Sequence, residues 1–380
     1  MSPAVTDTNT LQQEPDYPWA DALPPPGHIL EVACGVRWLR MPLPFALNHV
    51  NLWLLRDQIE GPEGPVQGWT VIDCGIADEP TRAAWEQVFA SGLDGLPVLR
   101  VVATHMHPDH VGLAHWLTQR WSRPASAIDH GFECRLWMSA TDFAAARLGC
   151  RADPLMGGDA AAGFVAAHGL ADAHALAQIR RCAGFYASMV PQLPASYRRL
   201  MDGGVVHTSS TQEGARLAWH CLAGHGHAPE HIALHSPALG VLIAGDMLLP
   251  RISTNVSVDH LEPEANPLAL FLASLERMRA LPRDTLVLPS HGKPFRGLHA
   301  RIDQLQQHHA DRLADVMAAC AQAPRTAAEL LPVLFKRTLD VHQTTFAMGE
   351  SIAHLNALWH EGRLQRQCEQ GVYRFSPIPA

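Results

Sequence analysis

Thr104-His105-Met106-His107-Pro108-Asp109-His110 sets three imidazoles and a carboxylate within six positions, directly after the apolar run Val98-Leu99-Arg100-Val101-Val102-Ala103. That run is β-branched and apolar enough to form a buried strand. Beyond the histidines, Val111, Ala114, Leu117 and Trp121 recur at helical spacing, so the cluster sits on a strand-to-helix loop, where side chains can converge on a point. Pro108 stiffens the loop. His105 and His107 turn to one side, and Asp109 and His110 to another, which suits two adjacent cations. Neutral imidazole with carboxylate is a borderline-soft donor set, suited to zinc, iron or manganese. The competing interpretation is a histidine-rich surface loop in a chain with 23 histidines among 380 residues.

The rest of the chain narrows the setting. Its length allows two or three domain-sized units, and 47% hydrophobic with 17% charged residues is a globular composition. A formal net charge of −8 disfavours a general polyanion binder. Lys293 and Lys336 are the only lysines, so arginine carries the positive charge. The eight cysteines are scattered without a Cys-x-x-Cys pair, as expected of reduced thiols in a cytoplasmic protein. No secretory signal and no membrane-spanning run is expected.

Residues 1–27, polar and proline-punctuated, are expected to be a loosely ordered arm. Strands follow at Ile29–Val32, Val36–Arg40, Val50–Leu55 and Trp69–Asp73, with a turn over Gly61–Pro65 and a helix over Pro80–Ser91. Residues 130–202 are alanine-rich at helical spacing, broken at Asp153-Pro154, Gly157-Gly158 and Pro191/Pro194. They show no strand signal and are expected to form a helical insertion. Its apolar residues, Phe143, Phe164, Phe185 and Tyr186 among them, either line a substrate pocket as a lid or pack the insertion onto the sheet. Strands resume at Val205–His207, Leu217–Cys221, Ile232–His235 and Val241–Ala244. A helix over Pro267–Ala280, a strand over Thr285–Pro289 and a long helix from Leu298 to Cys320 complete the main unit, whose connecting helix spans 301–323. The tail, 324–380, reads as two helices and a hairpin.

Thr-His-x-His-x-Asp-His after a strand resembles the signature of the metallo-β-lactamase-fold hydrolases, a superfamily of mostly dinuclear metal enzymes. The resemblance covers about residues 29–300 and implies an α/β fold, the αββα sandwich, over residues 28–300. The helical insertion and a small C-terminal winged-helix-like domain complete it. Further motifs stand downstream in the superfamily's order. In Gly224-His225-Gly226-His227-Ala228-Pro229-Glu230-His231, His227 with His231 fits the spacing better than His225. Gly245-Asp246 and Pro289-Ser290-His291-Gly292 each end a strand. The ligand set implied is His105, His107 and His227 on one metal, and Asp109, His110 and His291 on the other, with Asp246 bridging. Asp73-Cys74-Gly75 matches a motif that supports the metal loop from behind, although a strand-capping turn carboxylate would read the same.

The resemblance implies two divalent ions, zinc first, with iron or manganese as the other candidates. A metal-bridged hydroxide would attack an ester-type carbonyl while Asp109 orients the nucleophile and carries a proton. A thioester, as in glyoxalase II-like enzymes, is the first expectation and a lactone the next. The substrate is then a small molecule with an apolar acyl part. The alternative is a metal-dependent nuclease or phosphodiesterase with the tail gripping nucleic acid. Arg363, Arg366 and Arg374 are interleaved with Glu361 and Glu369, which favours a packing or homodimerising tail.

Overall fold

Parallel strand pairing in this chain follows from where helices interrupt it. A computed structural model describes residues 14–61, 64–122, 132–151, 157–209 and 216–379. The first part of the arm, the tip of the turn at 62–63 and the break at Asp153-Pro154 lie outside these. One sheet has seven strands in chain order: β1 (Ile29–Ala33), β2 (Val36–Pro42), β3 (His49–Gly61), β4 (Gly64–Ile72), β5 (Val98–Val102), β6 (Arg135–Met138) and β7 (Tyr197–Arg199). The first four are joined directly and pair antiparallel. From β4 onward, helices intervene and the pairing is parallel, the geometry that needs a crossover. Those helices are α1 (Glu79–Ser91), then α2 (Pro108–Val111) with α3 (Ala114–Trp121), then α4 (Ala140–Gly149), α5 (Gly158–Ala167), α6 (Ala173–Arg181) and α7 (Phe185–Met189).

The second sheet contains β8 (Val205–Ser209), β9 (Arg216–Gly224), β10 (His231–Ser236), β11 (Val241–Gly245) and β12 (Leu286–Pro289), in the order β12-β11-β10-β9-β8. Between β11 and β12 runs α8 (Pro267–Met278), and that pair alone in the sheet is parallel. Trp38, Trp53, Ile72, Val102, Trp219, Ile232, Leu234, Ile243 and Leu288 interlock between the sheets, with the Trp38 and Trp53 rings stacked 6.2 Å apart. The outer face of the first sheet is covered by α1 and α3, through Trp85, Val88 and Leu117. That of the second is covered by α8 and by α9 (Leu298–Gln322), through Phe271, Leu275, Ile302 and Leu305. This is the helix-sheet-sheet-helix sandwich.

Two details depart from the sequence reading, and a third favours one of its two alternatives. Residues 130–202 carry helices but also hold β6 and β7, which extend the first sheet. With four and three residues, and a pattern rich in arginine, these strands give no alternation to read. The insertion's aromatic residues pack inward: Phe143 stacks on Tyr197 at 4.0 Å, and Tyr186 is buried. Residues 14–27 are anchored rather than loose, since the Asp16 N–H donates to the Arg296 carbonyl at 3.2 Å and Lys293 pairs with Asp21 at 3.0 Å.

The tail consists of α10 (Ala327–Leu334), α11 (Val341–His360) and the hairpin β13 (Leu364–Glu369) with β14 (Val372–Pro377). Its Leu330, Met348, Ile352 and Phe375 share one core with Val165 of α5, Ile179 of α6 and the helices over the second sheet. The tail is thereby a buttress for the sandwich.

Arg100, on the strand that leads into the histidine loop, ties this edge together. Its Nε–H donates at 2.8 Å to Asp57, which is fully buried and also accepts from Thr70 Oγ1 at 2.6 Å. Replacing Arg100 with Met leaves the Asp57 carboxylate buried without its cation. Chemical denaturation is expected to show a loss of about 3 kcal/mol, while a loss under about 1 kcal/mol would show that Asp57 finds another partner.

Candidate metal centre

The seven candidate ligands come from strand ends that the two sheets bring to one edge. Across that edge the Ile232 N–H donates to the Thr104 carbonyl at 2.8 Å, and the Asn51 N–H to the Ser290 carbonyl at 2.6 Å. The histidine loop leaves β5 and enters α2 with Pro108 at its start, where the missing N–H costs nothing. Asp246 follows Gly245 at the end of β11, and His291 follows β12. Gly245 has φ +55°, and a Cβ there would lie 2.1 Å from His231 Nε2, so only glycine allows this approach.

Three nitrogens form a tight triangle: His105 Nε2 to His107 Nδ1 is 2.9 Å, His107 Nδ1 to His227 Nε2 is 3.1 Å, and His227 Nε2 to His105 Nε2 is 3.2 Å. A second group lies beside it. Asp109 Oδ2 is 3.4 Å from both His110 Nε2 and His291 Nε2. Asp246 joins the two groups, its Oδ2 3.3 Å from His227 Nε2 and its Oδ1 3.5 Å from His291 Nε2 and 3.7 Å from His110 Nε2.

Hydrogen bonds behind the rings decide which nitrogen each presents. Asp73, at φ +63°, accepts from the Thr104 N–H at 2.7 Å, from Thr104 Oγ1 at 2.9 Å and from His110 Nδ1–H at 2.8 Å. Because the Thr104 hydroxyl proton goes to Asp73, its oxygen accepts from His105 Nδ1–H at 3.0 Å. His227 Nδ1–H donates to the Asn255 carbonyl at 2.8 Å, and His291 Nδ1–H to the His49 carbonyl at 2.8 Å. In their neutral forms, His105, His110, His227 and His291 therefore all turn an Nε2 lone pair inward.

Lone pairs of His105 and His227 3.2 Å apart repel unless a positive charge lies between them. Among the described residues, buried His110 Nε2 and Asp246 Oδ1 likewise have no hydrogen-bond partner. Burial and the adjacent rings hold His105 well below the ordinary histidine range, and burial and His227 hold His107 at about 3, so both are neutral at pH 7. Burial acts in the same direction on His110 and His291, but the surrounding carboxylates outweigh it and push both up. Burial would raise Asp109 and Asp246, yet His110 and His291 hold both below the usual carboxylate range. The second group thus demands positive charge, as protons or as a cation. The triangle's edges also approach the roughly 3.3 Å separation of two nitrogens bound tetrahedrally at about 2.0–2.1 Å. On donor chemistry and spacing, the residues fit a pair of cations.

His225 stands apart: it is half-exposed, with Nδ1–H donating to the Pro229 carbonyl at 2.8 Å. His231 is fully buried behind the centre, where its Nε2 accepts from the Asp246 N–H at 3.2 Å. Four supporting residues escaped the sequence reading. Asp142, from α4, accepts from the Met106 N–H at 2.8 Å and the Glu230 N–H at 2.6 Å, joining the two histidine loops. Tyr186 donates to the Met106 carbonyl at 2.6 Å. Asn51 donates to the carbonyls of Pro289 and Gly292 at 2.8 and 2.9 Å, and His49 accepts from the Gly292 N–H at 3.0 Å. A local signal existed only for Asp142, as the third helical residue after the N-cap Ser139.

The sequence profile of the Metallo-beta-lactamase superfamily matches residues 49–291, and that of the Metallo-beta-lactamase-like, C-terminal domain matches residues 313–378. The chain is 26% identical over 361 residues to a probable metallo-hydrolase of Bacillus subtilis, YqjP, covering 90% of this chain and 97% of that one. The crystal structure of a beta-lactamase domain protein from Burkholderia ambifaria superposes with a TM-score of 0.87 at 51% identity, covering 97% of this chain and all of that one. A metallo-beta-lactamase family protein from Thermus thermophilus superposes with a TM-score of 0.68 at 29% identity, covering 90% and 99% of the two chains.

Asp73→Asn keeps the shape of the acceptor for His110 Nδ1–H but removes its charge. Chelator competition is expected to show metal affinity about 10- to 100-fold weaker. Unaltered affinity would mean that Asp73 supports the backbone alone.

Proposed function

The chain belongs to the metallo-beta-lactamase superfamily, and we propose that it is a dinuclear metal-dependent hydrolase acting on an ester-type carbonyl, a thioester first and a lactone next. The observation that carries the dinuclear reading is the two-sided Asp246 carboxylate, which offers Oδ2 to the histidine triangle and Oδ1 to the His110 and His291 pair. His105, His107 and His227 would hold one cation, Asp109, His110 and His291 the other, and Asp246 both. The pairing of imidazole with carboxylate favours zinc, with iron and manganese next. When bound, two divalent cations lower the pKa of a shared water toward neutrality and polarise an acyl oxygen.

The chain's own groups do the rest. The Asp109 side chain is 20% exposed against 10% for Asp246, so of the two carboxylates it is the one turned toward incoming substrate. Held ionised by His110 and His291, it can take a proton from an attacking water and return it to the leaving group. A thiolate or alkoxide leaving group needs little more.

The nuclease alternative has less support. Arg363 pairs with Glu361, Arg366 with Glu264 and Arg374 with Glu329, so each hairpin arginine already meets a carboxylate. Cys74, Cys134, Cys221 and Cys320 are buried thiols outside any disulfide, which supports a reducing, cytoplasmic setting. No helix among the described residues is long and apolar enough to cross a membrane.

A panel of thioesters, lactones, β-lactams and phosphodiesters, assayed with metal content measured on the same protein, tests this reading. Turnover of acyl substrates is expected, and turnover confined to phosphodiesters would overturn it. In the same experiment, His227→Ala is expected to lose about one metal equivalent and at least about 100-fold in kcat, whereas His225→Ala retains both metals. The reverse outcome would exchange the two histidines.

A further inference from the structure

Beside the candidate centre, and sharing His291 with it, opens a cleft of about 280 Å³. Among the described residues, none of its lining comes from 130–202; it is formed by the arm, β2 and the loops around 47–49, 250–252 and 291–293. Arg40, Arg251 and Lys293 are among the described residues that line it and no carboxylate is, although the surface they turn to it is mostly apolar and Lys293 is paired with Asp21. In a chain of net charge −8, that is a local inversion of sign.

The three cations are not equivalent. Lys293 is engaged by the arm, donating to the Ala20 carbonyl at 2.6 Å and to Asp21 at 3.0 Å. Arg251 is exposed, its guanidinium 5.7 Å from the Tyr17 ring centre. Arg40 is half-buried on β2, its Nε is shielded from solvent without a hydrogen-bond partner, and no carboxylate among the described residues pairs with it. A guanidinium in such a place keeps its charge and its fork of donors, so the surroundings supply a cation and withhold its counter-ion. The cleft's rim adds a second character. Leu23, Leu47 and Ile252, which are 40%, 36% and 48% exposed, all line it, and exposed apolar residues gathered at a cleft mark a contact surface.

We propose that this cleft receives an anionic group of the substrate, a carboxylate or phosphate, with Arg40 as its anchor and Leu23, Leu47 and Ile252 against the apolar chain that links it to the scissile bond. The inference rests on the acyl-hydrolase reading for the scissile bond, but not for the pocket. His291 belongs to both cleft and centre, so the cleft adjoins the ligand cluster. The volume, at the lower edge of small-molecule sites, suits a short acidic acyl group. The preferred substrate class is therefore the ester or thioester of a short diacid or a phosphorylated acid, with one acid group free.

The test compares 4-nitrophenyl hemiglutarate with uncharged 4-nitrophenyl pentanoate on zinc-loaded, full-length protein. The ratio of kcat/KM, anionic over neutral, is expected to exceed about 10 in the wild type. Arg40→Met is expected to lower that ratio about 10- to 100-fold, the worth of one charge-assisted hydrogen-bond pair, chiefly through KM. Arg40→Lys is expected to restore most of it. A wild-type ratio at or below unity, or one that Arg40→Met leaves unmoved, would overturn the pocket. Titration calorimetry with glutarate and with inorganic phosphate separates this from the reaction type. Binding of either anion that is lost in Arg40→Met at equal metal content supports the pocket even if neither ester is cleaved, and shows which acid it takes. Binding of neither anion by the wild type, or equal binding by both proteins, sinks it.

Discussion

Hydrogen bonds to the outer nitrogens of four histidines fix the centre before any ion is considered. Each outer Nδ1–H of His105, His110, His227 and His291 is taken by an oxygen, from Thr104, Asp73, Asn255 and His49 respectively. The inner Nε2 lone pairs are then compelled to face one another and two carboxylates. A folded chain tolerates such a concentration of acceptors only when positive charge neutralises it. The sandwich stabilises this arrangement through its core between and outside the sheets, far from the lone pairs themselves.

That constraint explains why the fold ends where it does. Each sheet contributes strands whose last residues point toward the other sheet, and the backbone bonds Ile232 to Thr104 and Asn51 to Ser290 hold the two edges in register. Gly245 lets His231 come within contact of the β11 end, and His231 in turn receives the Asp246 N–H. The carboxylate of Asp246 is therefore aimed by its own backbone, and both its oxygens meet imidazoles on opposite sides. Asp73 does the same for the histidine loop from the neighbouring β4 end, binding backbone, hydroxyl and imidazole at once.

How much of this could be read from sequence depends on how local each signal is. The seven candidate ligands sit in short motifs at strand ends, where the family resemblance implies them, and the structure brings them to one place. The spacing to His231 ranks His227 over His225, and the structure sets His227 Nε2 3.1 Å from His107 Nδ1 and 3.2 Å from His105 Nε2 while His225 donates to the Pro229 carbonyl. The strands β6 and β7 were invisible because a strand of three or four residues needs no pattern when its neighbour supplies the register. Asp142 and Tyr186 were invisible for a related reason. Both act on the backbone of Met106, a residue 36 and 80 positions away, and the one local trace is the place of Asp142 as third helical residue after the N-cap Ser139. The arm looked disordered by composition, yet its residues 16–21 make specific contacts with the loop after His291.

The distribution of charge gives the centre and its cleft a common logic. The two carboxylates that hold positive charge at the centre would repel an anionic substrate if they stood alone. Two divalent cations beside Asp109 and Asp246, with the imidazoles neutral, would leave the centre net positive, and Arg40 and Arg251 would extend that sign toward the cleft, Lys293 being paired with Asp21. An acidic group entering the cleft would be attracted on its approach, and in a partly apolar cleft such attraction is screened less than on an open surface. The chain as a whole, at net −8, carries the opposite sign. On the proposed reading the field would discriminate by position: an anionic end would be drawn to Arg40, and the bond it carries would be left near His291, within reach of the role proposed for Asp109.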